Sequence, residues 1–354
     1  MTSTTVPRPT APPAPATAPA VGRIRAVAAG TAVAATVPYL TLKLLWLTGH
    51  PVGAGDGDAM DDLWLVNLLT FGMDAIAVVL ALAFVRPWGR RAPAGLLLFP
   101  MWVATGLLGT ILVALPVFLL SSLVLGPEVP AAGADDGPSG WVFPVVYGGF
   151  AVQGLALITG FLLYARQRWS GLLSDRIGDL PSSPTLTVQR SFACVAAPLA
   201  AGVAAAQLYW ALGGDAGLPL EWREHRGRGV AVMNGVTAAM ALAAAAALLV
   251  LVFRLHPGRR LRVPLAVAWT TAGSLFGWGS WQLVALGTTT EVTTPDRAVP
   301  GLLTLVESVQ VVTGLLVLAA GTIALVERAV AARGDSWNPA GPDRPGAADV
   351  ESPQ

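Results

Sequence analysis

The chain has 354 residues, of which 54% are hydrophobic and only 12% charged, with a formal net charge of +1. Soluble domains carry about a quarter charged residues, so half that density points to a membrane protein. The near-neutral balance gives no reason to expect a nucleic-acid partner. The lone Cys194 excludes an intrachain disulfide, and its apolar setting predicts a buried, inert thiol.

Residues 1–22 are rich in Pro, Ala and Thr and read as a disordered cytoplasmic tail. Eight apolar stretches follow, at 24–48, 63–85, 95–125, 141–165, 191–213, 229–253, 263–287 and 300–327. A helix needs about 20 mainly apolar residues to cross the hydrocarbon layer, and backbone in lipid must satisfy its own hydrogen bonds. The expected fold is therefore an all-α integral membrane protein with about eight transmembrane helices. The first run is too long for a signal-peptide core and reads as a retained helix. The third contains Pro100 and Pro116 and is too long for one perpendicular crossing, which predicts tilt, a kink or an interfacial extension.

Loop charge sets the orientation. Seventeen arginines fall on one set of segments and four on the other. By the positive-inside rule, both termini are cytoplasmic in the cell membrane. Trp46, Trp64, Trp88, Trp141, Trp169, Trp210 and Trp222 lie near predicted span ends, as an aromatic belt does.

The two halves resemble each other. Asn67, Thr70, Met73, Trp102 and Gly106 recur at one constant offset as Asn234, Thr237, Met240, Trp269 and Gly273. Trp46 and Gly49 recur as Trp210 and Gly213. This predicts two tandem four-helix units, 23–166 and 191–328, inserted in parallel orientation. A basic cytoplasmic linker, 167–190, joins them and reads as a short helix or membrane-hugging segment on the anionic inner leaflet. Residues 329–354 form a second disordered cytoplasmic tail.

Three charged residues fall within spans: Lys43, Asp74 and Glu307. At about 1.5 Å per residue, Lys43 and Glu307 reach similar heights in the outer half, with Asp74 nearer the middle. The spacing predicts a Lys43–Glu307 contact with Asp74 adjoining it. Tyr39 shares a face with Lys43, and Asn67 and Thr70 share one with Asp74. Gln153, Gln207, Gln282 and Gln310 add uncharged polar groups at depth. Together these predict a polar pocket open to the outside that holds a small solute or ion. The same residues also suit a purely structural role, with a snorkelling lysine and a packing ion pair.

No P-loop, GxGxxG, HExxH, GxSxG or EF-hand pattern occurs. His50, His225 and His256 lie in separate loops. The expectation is a protein without catalytic activity, cofactor or metal, whose partner is the lipid bilayer. The Ala/Arg/Pro bias, the Pro-rich head and the stretch YLTLKLLWLTG at 39–49 carry one resemblance. The chain resembles uncharacterised multi-pass integral membrane proteins of high-GC actinobacteria, and this resemblance brings no catalytic residues with it. The function expected is permease-like, for a small solute or ion. The alternative is a non-transporting structural or sensory membrane protein.

Overall fold

The computed structural model describes residues 18–50, 52–53, 64–126, 140–219, 222–223, 226–289 and 301–336. Eight long helices carry the fold among them: α1 Ala18–Leu47, α2 Trp64–Val85, α3 Ala94–Leu125 and α4 Val142–Arg168, then α5 Leu186–Ala211, α6 Arg228–Val252, α7 Arg262–Thr289 and α8 Gly301–Ser336. The protein is all-α and polytopic; seven helices, all but α7, are long and apolar enough to cross a membrane.

The exception has a physical reason. α7 packs on α3, α6 and α8, and no residue from Ala268 to Leu286 is exposed. A helix that faces protein on every side does not need a lipid-soluble surface, so Thr270, Thr271, Ser274 and Gln282 are tolerated there.

Proline interrupts none of the spans. Pro38, Pro100, Pro116 and Pro198 all sit inside continuous helices. Neighbouring helices and local adjustments accommodate the lost backbone bond within a bundle.

The boundaries differ from the sequence reading at both tails and at the linker, where α4 runs to Arg168 and α5 begins at Leu186, inside the 167–190 segment. α1 begins at Ala18, inside the segment read as a tail, and α8 continues past residue 328 to Ser336. The rest of both tail readings, 1–17 and 337–354, lies outside the described residues, as does His225.

Within each half the helices adopt the same neighbour order. α1 packs on α2 and α4, and α3 on α4; correspondingly α5 packs on α6 and α8, and α7 on α8. The seam between halves runs along α3 and α7. Here Gly106 meets Gly273 so closely that an added Cβ on Gly106 would lie 2.0 Å from the Gly273 carbonyl carbon. Only hydrogen at both positions permits this backbone approach. Beside it the Trp269 indole donates to Thr105 Oγ1 at 2.8 Å, and Thr110 and Ser274 share a hydrogen bond of 2.6 Å. Trp102 reaches across the seam into the second half's core, among Ala196, Ala200, Ala241, Ala244 and Leu248.

The turns that follow α1 and α5 are built alike. Gly49 and Gly213 both have positive φ, 81° and 101°, and so do Gly53 and Gly217, at 70° and 77°. Each turn is tied by an indole six residues upstream: Trp46 Nε1 donates to the Val52 carbonyl at 2.9 Å, and Trp210 Nε1 to the Ala216 carbonyl at 3.0 Å. Trp210 is therefore a buried turn anchor and not a belt residue; it is 2% exposed.

One further sequence reading is corrected: Cys194 faces out of the bundle instead of lying buried. The linker forms a short α-helix at Ser170–Ser174 and a 3-10 turn at Ile177–Asp179, and the backbone of Ile177 and Gly178 hydrogen-bonds to the loop that follows α6. Ile177 and Leu261 are buried.

Candidate functional site

The polar residues within the spans gather into two clusters, one in each half. In the first, Lys43 on α1 donates from Nζ to Asn67 Oδ1 on α2 at 2.6 Å. Its ammonium also lies 4.9 Å from the ring centroids of Tyr39 and Trp46. Two aromatic faces and an amide oxygen thus cage the cation. Helical spacing explains the arrangement: Tyr39, Lys43 and Trp46 lie one turn apart on α1, facing α2.

Asp74 lies two turns further along the same face of α2 and accepts a 3.2 Å hydrogen bond from Gln153 Nε2 on α4. Its other oxygen, Oδ2, is buried without a hydrogen-bond partner among the described residues. Asp74 is near enough to feel the Lys43 charge but makes no salt bridge with it. Thr70, between Asn67 and Asp74 on the same face of α2, returns its hydroxyl to the Val66 carbonyl at 2.9 Å. The Tyr39 ring packs edge-on against Phe150 of α4, with centroids 4.9 Å apart.

The second cluster lies in the other half. Gln207 on α5 donates from Nε2 to Glu307 Oε1 and to Gln310 Oε1 on α8, each at 3.3 Å. Glu307 is 3% exposed, and its Oε2 has no hydrogen-bond partner. Glu307 has no cationic partner among the described residues.

Height along the membrane normal brought Lys43 and Glu307 together on paper, but the bundle separates them. Lys43 serves the first cluster and Glu307 the second. The structure joins Lys43, Asn67, Tyr39, Thr70 and Asp74 and excludes Glu307. Among the described residues Lys43, Asn67, Asp74, Gln153, Gln207 and Glu307 are all buried.

Two roles were missed in the sequence. Trp46 was assigned to the aromatic belt, yet it cages Lys43 while anchoring its turn. Gln153 was noted only as a polar group at depth, yet it is the side chain that holds Asp74. A signal for both was present, since Lys43 aligns with Gln207 at the offset that aligns Trp46 with Trp210. Gln282, the remaining glutamine, is half-buried on α7 and belongs to neither cluster.

The chemistry available is hydrogen bonding and charge compensation at membrane depth. No group of three or more His, Cys, Asp or Glu able to hold a metal ion occurs among the described residues. An apolar cavity lies elsewhere, lined by Trp102, Leu248, Trp269 and Val317, and reaches neither cluster. No family model, curated protein or solved structure matches this chain.

Proposed function

We propose that the chain is a permease-like protein of the cell membrane that passes a small solute or ion by way of the two buried polar clusters, without catalytic activity or cofactor. In this reading α7 is an eighth crossing, both termini are cytoplasmic, and the halves are tandem parallel four-helix repeats. The shared neighbour order, the matched turns after α1 and α5, and the Gly106–Gly273 seam support the repeat.

One observation carries the functional reading. Asp74 Oδ2 and Glu307 Oε2 are both buried without a hydrogen-bond partner among the described residues. A buried carboxylate oxygen left unpaired costs about 1–3 kcal/mol, and such cost collects at working sites. Each oxygen is a vacant acceptor that a passing donor or cation fits.

The test is a set of variants, Lys43→Ala, Asp74→Asn and Glu307→Gln, scored for solute and ion flux in proteoliposomes alongside thermal stability. Loss of flux in Glu307→Gln, the variant expected to fold as stably as the wild type, supports the permease. Lower stability with no flux change attributable to any variant moves the reading to a non-transporting structural or sensory protein. The enclosed clusters, with the apolar cavity lying elsewhere, are what favour that second reading.

A further inference from the structure

The linker between the halves is held in place by backbone bonds to the loop joining α6 to α7. Ile177 N donates to the Arg259 carbonyl, Gly178 N to the Pro257 carbonyl and Leu261 N to the Asp175 carbonyl, each at 2.9 Å. This pairing forms an isolated antiparallel bridge between Arg176 and Arg260. Paired residues in such a bridge stand about 4.5–5.5 Å apart at Cα and project to the same side. The backbone thus holds two exposed arginines directly opposite each other, with their side chains leaving on the same side.

Like charges directly opposite each other destabilise a strand pair. The two nearest acids do not relieve this one. Asp175 is committed to Arg328 Nε at 2.8 Å. Asp179 accepts at 2.7 Å from the backbone N–H of Arg176, closing its own turn. Arg254 is also occupied, donating to the Pro181 carbonyl and to Ser182 Oγ. Arg259 and Arg262 add further exposed positive charge on the same loop.

The surroundings indicate which anion completes the set. Phe253, Leu255 and Val263, which flank these arginines, are 39%, 46% and 62% exposed. An exposed apolar side chain beside an arginine suits the boundary between headgroup and acyl chain and suits a soluble polyanion poorly. The loop also joins two long helices of the bundle, which sets it at a bundle end.

We propose that Arg176 and Arg260 form a binding site for the phosphate of an anionic phospholipid headgroup, with Phe253, Leu255 and Val263 against its acyl chains. The positive-inside rule accounts for arginines anywhere on this face; the site is distinguished by two of them being locked as neighbours.

The experiment measures lipid retention on the full chain by native mass spectrometry, from mixed micelles containing phosphatidylglycerol or phosphatidylcholine with identical acyl chains. The wild type is expected to retain phosphatidylglycerol preferentially. The double variant Arg176→Gln/Arg260→Gln should lose that preference by about tenfold or more, since each basic residue near an anionic surface contributes roughly fivefold. Arg176→Lys/Arg260→Lys should keep most of it, which separates charge from folding. The control Arg90→Gln/Arg91→Gln, in another arginine-rich loop, should change retention less than twofold. Equal losses in the 176/260 and 90/91 variants would overturn the site in favour of diffuse charge. Equal retention of the two lipids by the wild type overturns it outright. If inorganic phosphate at millimolar concentration displaces the lipid completely, the site belongs to a soluble anion and the lipid assignment fails.

Discussion

The two halves of the molecule agree where backbone is shaped and differ where charge is buried. Both end their first helix in the same turn, with an indole reaching six residues forward and glycines at matching positive-φ positions. Both place a glycine on the third helix at the shared seam. The first half then buries a lysine and an aspartate together, whereas the second buries a glutamate answered only by glutamines. Position 43 is lysine and its counterpart, position 207, is glutamine. The first cluster thus sets a cation beside a carboxylate and the second, among the described residues, does not, so under the proposed function the second half is where an external cation or donor has most to contribute.

The seam gives the sharpest way to break this comparison. Gly106→Leu should abolish recovery of folded protein, a loss above about 4 kcal/mol, because the new side chain occupies the space of the Gly273 backbone. Gly72→Leu is the control; an added Cβ there meets nothing within 4 Å. Fluorescence-detected size exclusion in detergent reads both.

Next in size is Lys43→Met, expected to cost about 3 kcal/mol in unfolding free energy. It removes a charged hydrogen bond and leaves Asp74 without its nearby cation. A change within about 0.5 kcal/mol would reduce Lys43 to a snorkelling side chain.

The two carboxylates should then respond with opposite sign. Asp74→Asn strips the anion that offsets Lys43 and should cost about 1.5 kcal/mol. Glu307→Gln removes an uncompensated charge while keeping the shape and should be neutral or stabilising by about 1 kcal/mol. Destabilisation of similar size in both would erase the proposed difference between the clusters.

The smallest effect concerns an indole. Trp269 donates to Thr105, but Trp102, its counterpart, is buried with no acceptor for Nε1. The position corresponding to Thr105 is Ala272, which also lies at the seam, 1% exposed. Ala272→Ser should supply the missing acceptor and raise stability by about 1 kcal/mol. No rise in melting temperature would mean the hydroxyl does not reach the indole.

Much of the scaffold was legible beforehand. The helix positions follow the apolar runs, and the third run proved to be one unbroken helix through Pro100 and Pro116. The Trp46/Gly49 and Trp210/Gly213 matches were visible, but their meaning was not. That Gly53 and Gly217 complete the same turn emerges only from φ, because a carbonyl six residues from a tryptophan leaves no compositional mark. Cys194 was misplaced because an apolar run in lipid can face outward as readily as inward. That the linker pairs with the loop between α6 and α7 emerges only from the structure, because its leucines and isoleucine do not name what covers them.

The sequence by itself determined that this is a multi-pass helical membrane protein. Lipid demands apolar length and internal hydrogen bonding of each segment separately, whatever its neighbours. It also determined which polar residues lie at depth, since rise per residue converts position into height. Only the tertiary structure decided which of them meet. Height is a single coordinate, and it is the lateral packing of α1 on α2 and of α5 on α8 that sends Lys43 to Asn67 and Glu307 to Gln207.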